Sequence, residues 1–397
     1  MWSTLVLATA VGLAASPTTR PTKRDVSDRT ALRARVNPGL DQAMRYLAGT
    51  QQPDGGWLGV FGGSDPAITA LATKTFVQDP QFGPDHPIVK RAIAFILKHQ
   101  QPDGGIYRPK IGYANYTTSV ALSTLAAMKD PALEPQIKAA QGYLGGGQWA
   151  EGKTDTEGTA IDSGHAWYGG AGYGKHKRPD LSNTQMMIEA LHDSGLPTTD
   201  PVYQKALKFI SRCQMRSQSN DQPLARGAED GGMIYTPANG GESKAGTTTV
   251  NGQVRLRSYG SMTYAGFKSM LYADVDRQDP RVQAAWDWIR RHYRLDANPN
   301  MPLAQSKEGL YYYYHVFARA LEAWGEPVVV DGAGVDHDWR AELADHLLAA
   351  QHTDGSWANP ADRWQEGNPA LVTSYAVLAL QSILRDDRTA GPRIPSR

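Results

Sequence analysis

The stretch QQPDGGW at residues 51–57 recurs as QQPDGGI at residues 100–106 and as QHTDGSW at residues 351–357. The Asp-Gly pair predicts a turn, because the Asp side chain bonds the backbone that follows it and Gly adopts positive φ without steric cost. Repeats separated by about 50 residues are typical of stacked or closed arrays in which each copy is one supersecondary unit. The loop residues of the repeat are therefore interpreted as structural, with Trp57 and Trp357 packing between neighbouring units.

Weaker copies extend the repeat over most of the chain. Gly147-Gln148-Trp149 is one, and residues 229–233 (EDGGM), which follow Gln214, are another. A further unit is indicated by residues 286–289 (WDWI) with a loop closed by residues 308–311. Together the copies predict six units.

Each unit pairs two kinds of helix. In the second unit a single apolar stripe with i, i+3, i+4 and i+7 spacing precedes the loop, formed by Val89, Ala92, Ile93, Ile96 and Leu97. The segments after the loops, such as 118–128, 183–191 and 372–381, are small and apolar nearly all round, which predicts burial on several sides. We predict an all-α fold, an α6/α6 toroid (α/α barrel) of six helix pairs with amphipathic helices outside and apolar helices inside. A small β-hairpin near 247–257 is expected, because alternating residues flank Asn-Gly there.

Composition excludes several classes of protein. The 397 residues include 41 Lys and Arg against 40 Asp and Glu, a net charge of +1, so there is no basic field for nucleic acid. Cys213 is the single cysteine, which excludes an intramolecular disulfide and a Cys-rich metal site. We expect no metal and no cofactor. The 18 Tyr and 10 Trp against 7 Phe favour partly wet aromatic walls, because most of these rings carry a hydrogen-bonding tip.

The N-terminal segment predicts export. Residues 5–15 are apolar, too short to span a bilayer, and followed by a polar run. We predict a signal peptide at 1–16, a flexible linker at 17–38, the toroid domain at 39–385 and a disordered tail at 386–397, in a secreted or periplasmic protein. The alternative is a disordered N-terminus or a misplaced start, since no Lys or Arg precedes the apolar segment.

The repeat resembles that of a known superfamily. Tyr46-Leu47, Gln51 and Gly56-Trp57 are similar to the prenyltransferase and squalene oxidase repeat of terpenoid cyclases and protein prenyltransferases, and residues 180–185 (DLSNTQ) resemble the start of an inner helix in squalene-cyclase-like proteins. The resemblance runs from about residue 40 to residue 383. It implies the α6/α6 toroid with a central cavity lined by the N-terminal halves of the inner helices.

The sequence lacks the motifs on which the superfamily's known activities depend. The nearest string to the cyclase Asp-x-Asp-Asp motif is residues 274–277 (DVDR), which ends in Arg and is expected at the C-terminal end of an inner helix. Cys213 follows Ser211-Arg212 rather than the Asp-x of the prenyltransferase zinc site, and no Cys-Gly-Glu-Gln thioester string is present. The fold therefore leaves the function open.

Candidate site residues follow from where the inner helices are expected to begin. Their polar-tipped side chains suit a polar or amphipathic ligand such as a glycan or a peptide; the alternative is that the tyrosines only pack between helices. The predicted ligand-binding residues are Tyr116, Asn183, Tyr259, Tyr264, Tyr312, Tyr313, His315, Tyr375 and Arg257.

Three residues are candidates for catalysis. Asp162 is placed to orient His165 as a general base in a glycine-rich loop, although a surface histidine would explain the same pattern. Asp180 is a further carboxylate near the predicted cavity.

Three functions stay open. The first is a binding protein holding a small-molecule or polymer ligand in the central cavity, with no nucleic-acid partner and no transmembrane segment. The second is a polysaccharide lyase or hydrolase in which Tyr312, His315, His165 and Asn183 supply the base and the groups that neutralise a carboxylate. The third is a non-canonical terpenoid cyclase or prenyltransferase, which requires a carboxylate such as Asp162 or Asp180 to reach the cavity.

Overall fold

The computed structural model describes residues 28–174 and 177–385, and within these ranges the fold is all-α. The predicted signal peptide (1–16) and tail (386–397) lie outside the described residues. The helices are α1 (Arg29–Thr50), α2 (Pro66–Val77), α3 (Pro87–Leu97), α4 (Ala114–Ala127), α5 (Glu134–Gly147), α6 (Leu181–Asp193), α7 (Pro201–Cys213), α8 (Gly260–Tyr272), α9 (Pro280–Arg291), α10 (Leu310–Trp324), α11 (Trp339–Ala349) and α12 (Pro369–Leu384).

Short strands form antiparallel pairs in the connections. The predicted hairpin is confirmed, with Asn251-Gly252 at its turn and Thr247 opposite Leu256. The strands are β1 (Trp57–Leu58), β2 (Ser64–Asp65), β3 (Gln214–Arg216), β4 (Glu229–Met233), β5 (Thr247–Val250), β6 (Gln253–Leu256), β7 (Val329–Val330) and β8 (Asp336–His337).

Helix α1 begins earlier than the sequence predicted. Asp28 caps it by accepting a hydrogen bond from the Thr30 amide at 2.8 Å, so residues 29–38 are helical rather than part of a linker. The buried side chains of Leu32 and Val36 anchor this first part to the core. Pro38 lies inside the helix.

The two kinds of helix differ in burial as predicted. In α3, Val89, Ala92, Ile93 and Ile96 are buried on one face, whereas nearly every residue of the even-numbered helices is buried. Each even-numbered helix contacts the next one in chain order, and α12 contacts α2. The contacts among the even-numbered helices are therefore cyclic.

The repeated glycine makes a close approach to the next odd-numbered helix. Gly55 has φ of +93°, and a Cβ placed on it would lie 2.5 Å from the carbonyl oxygen of Arg91 in α3. Only glycine fits such a position, because it combines positive φ with backbone contact. The same approach recurs from Gly104 to Ala139, from Gly169 to Lys205, from Gly231 to Ala284 and from Gly355 to Gln42. The last contact returns to α1.

The repeated glutamine fixes the same junction. The Nε2 group of Gln51 donates to the carbonyls of Gly55 (2.9 Å) and Ile88 (3.0 Å), joining its own loop to the first turn of α3. Equivalent pairs of bonds are made by Gln148, Gln214 and Gln351.

The third unit differs from the repeat copy predicted at residues 147–149. Gln148 takes the position of the repeated glutamine, but the glycine that contacts α7 is Gly169 rather than Gly147. Residues 149–168 are an insertion between the two. Trp149 belongs to a separate small cluster with Ile161 and Trp167.

The tryptophans of the repeat are buried, and the hydrogen bonds of each join the two helices of its own unit rather than neighbouring units. Trp57 is fully buried, its Nε1 group donates to the carbonyl of Leu47 at 2.8 Å, and its backbone amide donates to Thr69 Oγ1 at 3.0 Å. Trp357 repeats this arrangement with Leu347. These residues have a structural role.

Candidate functional site

A cavity of about 180 Å³ lies where the even-numbered helices begin. All six contribute side chains from their first turns or from the residues just before them. Its walls are aromatic, and the lining tyrosines are Tyr107, Tyr113, Tyr116, Tyr173, Tyr235, Tyr259, Tyr312 and Tyr375.

Five of the predicted ligand-binding residues line this cavity: Tyr116, Asn183, Tyr259, Tyr312 and Tyr375. The hydroxyls of Tyr116 and Tyr375 lie 2.7 Å apart and join α4 to α12. Burial raises the pKa of both phenols, so both are neutral hydrogen-bonding groups at neutral pH.

Two of the predicted tyrosines do not line the cavity. Tyr313 is fully buried on another side of α10, where its hydroxyl donates to the carbonyl of Arg294 at 2.8 Å. The ring of Tyr264 packs edge-on against that of Tyr313, with centroids 5.6 Å apart. Successive helical residues point about 100° apart, so adjacent tyrosines face different partners and only Tyr312 of the run 311–314 reaches the cavity.

The predicted Arg257 is also absent from the lining. Its Nη2 atom lies 3.2 Å from the Thr247 carbonyl, which ties it to the hairpin. Lys244, just before the hairpin, lines the cavity instead.

Asp180 lies in the wall directly behind Asn183. Its Oδ1 accepts hydrogen bonds from the Asn183 amide (2.9 Å) and Ser182 Oγ (2.7 Å), and its Oδ2 accepts from Asn183 Nδ2 (2.8 Å). The carboxyl also bonds the side chain of Tyr235. Burial outweighs these bonds and raises the pKa of Asp180 above its ordinary value.

The predicted pairing of Asp162 with the His165 imidazole is wrong. Asp162 Oδ1 accepts the backbone amides of Gly164 and His165, which closes a local turn. The imidazole Nε2 atom instead lies 3.2 Å from Asp155 Oδ2. This pair belongs to the 149–168 insertion, and none of the three residues lines the cavity.

The sequence did not point to Glu366, a carboxylate in the cavity lining. It caps α10 by accepting from the Tyr312 amide (2.8 Å), and it also accepts from Asn359 Nδ2 (2.7 Å). Burial raises its pKa. Asp65, which caps α2, is another lining carboxylate, and the partly exposed rings of Phe61 and Trp364 complete the rim.

Deeper along the even-numbered helices lies a buried ion cluster, formed by Lys74, Glu189, Asp193, Lys268 and Arg319. Arg319 donates to Glu189 Oε1 at 3.0 Å and to Asp193 Oδ1 at 2.9 Å. Lys74 reaches Asp193 at 2.8 Å, and Lys268 bonds Glu189. The cations lower the pKa of both carboxylates despite their burial.

The ion cluster connects α2, α6, α8 and α10. A sequence signal for it exists: isolated charged residues, such as Lys74 and Lys268, stand within otherwise apolar helices. Buried charges of this kind require partners.

His315 lies between the cavity and the ion cluster. It is 4% exposed, and its ring stacks on that of Tyr375 with centroids 5.4 Å apart. Burial, helped by Lys268, Arg319 and Lys74, lowers the pKa of His315 to about 3, so its imidazole is neutral at neutral pH.

Other candidate chemistry is not supported in the described part of the chain. Residues 28–174 and 177–385 hold no group of three or more His, Cys, Asp or Glu side chains suited to a metal ion. Cys213 is buried, and burial raises the pKa of its thiol. Asp274 follows the C-terminal end of α8, at the opposite end of that helix from the cavity. Nor does any helix in these residues have the length and apolar character needed to cross a membrane.

Comparison with known proteins supports the superfamily resemblance at the level of the fold. No protein-family model matches the chain. Over 71 residues the chain is 39% identical to drimenyl diphosphate synthase from Streptomyces showdoensis, but this segment covers 18% of the chain and 13% of that protein.

Solved structures match over nearly the whole chain. The type II terpene cyclase MstE from Scytonema, in complex with geranylgeranyl dihydroxybenzoate, superposes with a TM-score of 0.52 at 13% identity, covering 89% of this chain and 99% of that one. D-mannose isomerase superposes with a TM-score of 0.55 at 11% identity, covering 91% of this chain and 99% of that one. A possible GH105 member from Salmonella enterica serovar Paratyphi A gives a TM-score of 0.50 at 11% identity, covering 95% and 99%.

The protein therefore has a terpenoid cyclase-like fold, as the repeat predicted. Identities this low show the fold alone, and the same fold is shared by an isomerase and a possible glycoside hydrolase.

Proposed function

We propose that the helices form an α6/α6 toroid of six helix pairs and that the aromatic cavity lies at its centre. The cyclic order of contacts among the even-numbered helices supports this arrangement. The cavity lining supports it too, because residues at or just before the start of all six even-numbered helices contribute to that lining.

We further propose that the protein binds an amphipathic small molecule in this cavity. The observation that carries the proposal is the lining of eight tyrosines, whose rings offer apolar surface while their hydroxyls offer hydrogen bonds. The structure of MstE with geranylgeranyl dihydroxybenzoate shows that this fold accommodates such a molecule in another protein.

The charges near the cavity favour a ligand without a diphosphate. Lys244 is already bonded to Glu242, and Arg108 Nη1 donates to the Gly62 carbonyl at 3.2 Å. The lining carboxylates Asp65 and Glu366 would oppose a strongly anionic group. We also propose that residues 1–16 act as a signal peptide that directs export of the protein.

Calorimetric titration tests the binding. We expect an amphipathic prenylated phenol to bind, and maltohexaose and a tetrapeptide to bind weakly or not at all. Tyr312→Leu removes a cavity wall and should weaken binding about tenfold, in line with about 1.5 kcal/mol for a ring contact.

Tyr311→Leu is the matched control, because Tyr311 is buried on another side of the same helix. Loss of affinity in both variants, or in neither, would contradict the proposed cavity. Cleavage of a polysaccharide by the protein would instead favour the lyase or hydrolase alternative.

The second candidate is a non-canonical terpenoid cyclase, favoured by one observation. Asp180 is a buried carboxyl next to the lining residue Asn183, and its raised pKa is the direction of shift that general-acid carboxyls require. Product formation from squalene or a prenyl diphosphate, lost in Asp180→Asn, would establish this activity. Absence of any product with the unaltered protein would remove it.

A further inference from the structure

Three buried polar atoms, one on a cavity-lining residue and two on residues packed directly behind lining tyrosines, have no hydrogen-bond partner among the described residues. They are Asn183 Oδ1, Gln185 Oε1 and His315 Nδ1. We call Asn183, Gln185 and His315 the cavity floor. Each is at least 96% buried, so solvent does not satisfy these atoms. Unpaired buried polar groups are costly, and a group of them next to a cavity requires an explanation.

The floor residues are joined to the cavity lining by direct contacts. Asn183 is itself a lining residue. Gln185 Nε2 lies 3.1 Å from the hydroxyl of Tyr312, and the His315 ring stacks on that of Tyr375. Gln185 and His315 are not lining residues themselves, but each contacts a tyrosine that is.

The hydrogen-bonding capacity of the floor is defined by its neighbours. Asp180 Oδ2 accepts a hydrogen bond from Asn183 Nδ2, so the amide oxygen of Asn183 is left as an acceptor. His315 is held neutral by burial and by the cations beneath it, and a neutral imidazole can supply one acceptor nitrogen.

Tyrosine hydroxyls provide matching donors. Tyr116 and Tyr375 share one hydrogen bond, which uses one of their two hydroxyl protons and leaves the other available. Tyr312 accepts from Gln185 and keeps its own proton. Acceptors and donors therefore lie side by side, and the charges of the nearby ion cluster are paired with one another.

We propose that the buried end of the ligand carries a neutral hydroxyl group, an alcohol or a phenol, which donates to a floor acceptor and accepts from a tyrosine hydroxyl. The apolar part of the ligand then extends toward Phe61 and Trp364 at the rim. This inference rests on the proposed binding function and adds the chemical class and orientation of the ligand.

Three probes that differ in one group test it: 4-nonylphenol, 4-nonylanisole and nonylbenzene. The anisole keeps the oxygen acceptor but lacks the donor. We expect the phenol to bind at least fivefold more tightly than the anisole, because the anisole leaves a floor acceptor unpaired. His315→Phe should reduce this ratio at least threefold, and Asn183→Leu should do the same if Asn183 Oδ1 is the acceptor used.

The readout is the ratio of the phenol affinity to the anisole affinity within one variant, so a general loss of affinity for both probes does not change it. His292→Phe is the control, because His292 stacks on Trp288 at the end of α9, away from the cavity. Equal binding of phenol and anisole, or a ratio that neither floor variant changes, would overturn the hydroxyl inference and leave the binding function intact. Binding of none of the three probes would overturn both.

Discussion

Replacing Glu189 with Gln tests the role of the buried ion cluster. The side chain of Lys268 is fully buried and that of Arg319 is 10% exposed, and both bond Glu189. Glu189→Gln leaves these two cations with less counter-charge in a largely buried site. Breaking a buried ion pair on one side typically costs about 3–5 kcal/mol, and we expect a loss of this size in the free energy of unfolding.

Urea unfolding followed by circular dichroism measures this loss. Glu134→Gln is the matched control, because Glu134 forms an exposed pair with Lys138 at 3.3 Å and such pairs are worth about 0–1 kcal/mol. The double variant Glu189→Gln/Lys268→Met removes one uncompensated cation and should recover part of the loss. A loss below about 1 kcal/mol for Glu189→Gln, or no recovery in the double variant, would refute the argument.

Two further predictions concern pH and the repeated glycine. The pKa of His315 is about 3 in the folded protein against an ordinary value of 6.5, so the unfolded chain takes up a proton at higher pH and His315 lowers stability as the pH falls from 6.5 toward 3. His315→Phe should therefore reduce the dependence of the melting temperature on pH between pH 6.5 and 4. The same slope in the variant and the unaltered protein would contradict this. Gly169→Ala places a Cβ 1.7 Å from the Lys205 carbonyl oxygen and should lower the free energy of unfolding by more than about 2 kcal/mol. Gly152→Ala is the control, because Gly152 has a similar φ but no neighbour within 4 Å, and it should cost about 1 kcal/mol. Equal losses in the two variants would show that the close approach of Gly169 to α7 does not contribute to stability.

The sequence predicts the units of this fold because the same contacts recur with the same residues. The Asp-Gly turn, the glutamine and the following tryptophan or apolar residue are local features, and their structural roles at Gly55, Gln51 and Trp57 were readable from the chain. The third unit escaped correct alignment because the insertion 149–168 separates Gln148 from Gly169. The spacing between glutamine and glycine in the other units cannot identify the equivalent glycine when an insertion of this length separates the two residues.

The candidate site was predictable only in part, because side-chain direction depends on helix phase. Tyr312 and Tyr313 are indistinguishable in composition, but one faces the cavity and the other the core. Glu366 reaches the cavity from an irregular loop, for which the sequence offers no periodic signal. Pairing of His165 with Asp155 rather than Asp162 likewise depends on how the loop folds back.

The contacts of α1 have a topological consequence. Arg29 donates to the Ile383 carbonyl at 2.9 Å, across 354 residues of sequence, and Gly355 packs on Gln42 of the same helix. The two ends of the described chain are therefore neighbours in space. Circular permutation should preserve the fold: a short linker from residue 385 to residue 28, with new termini in the exposed loop at 156–158, leaves every contact between helices unchanged.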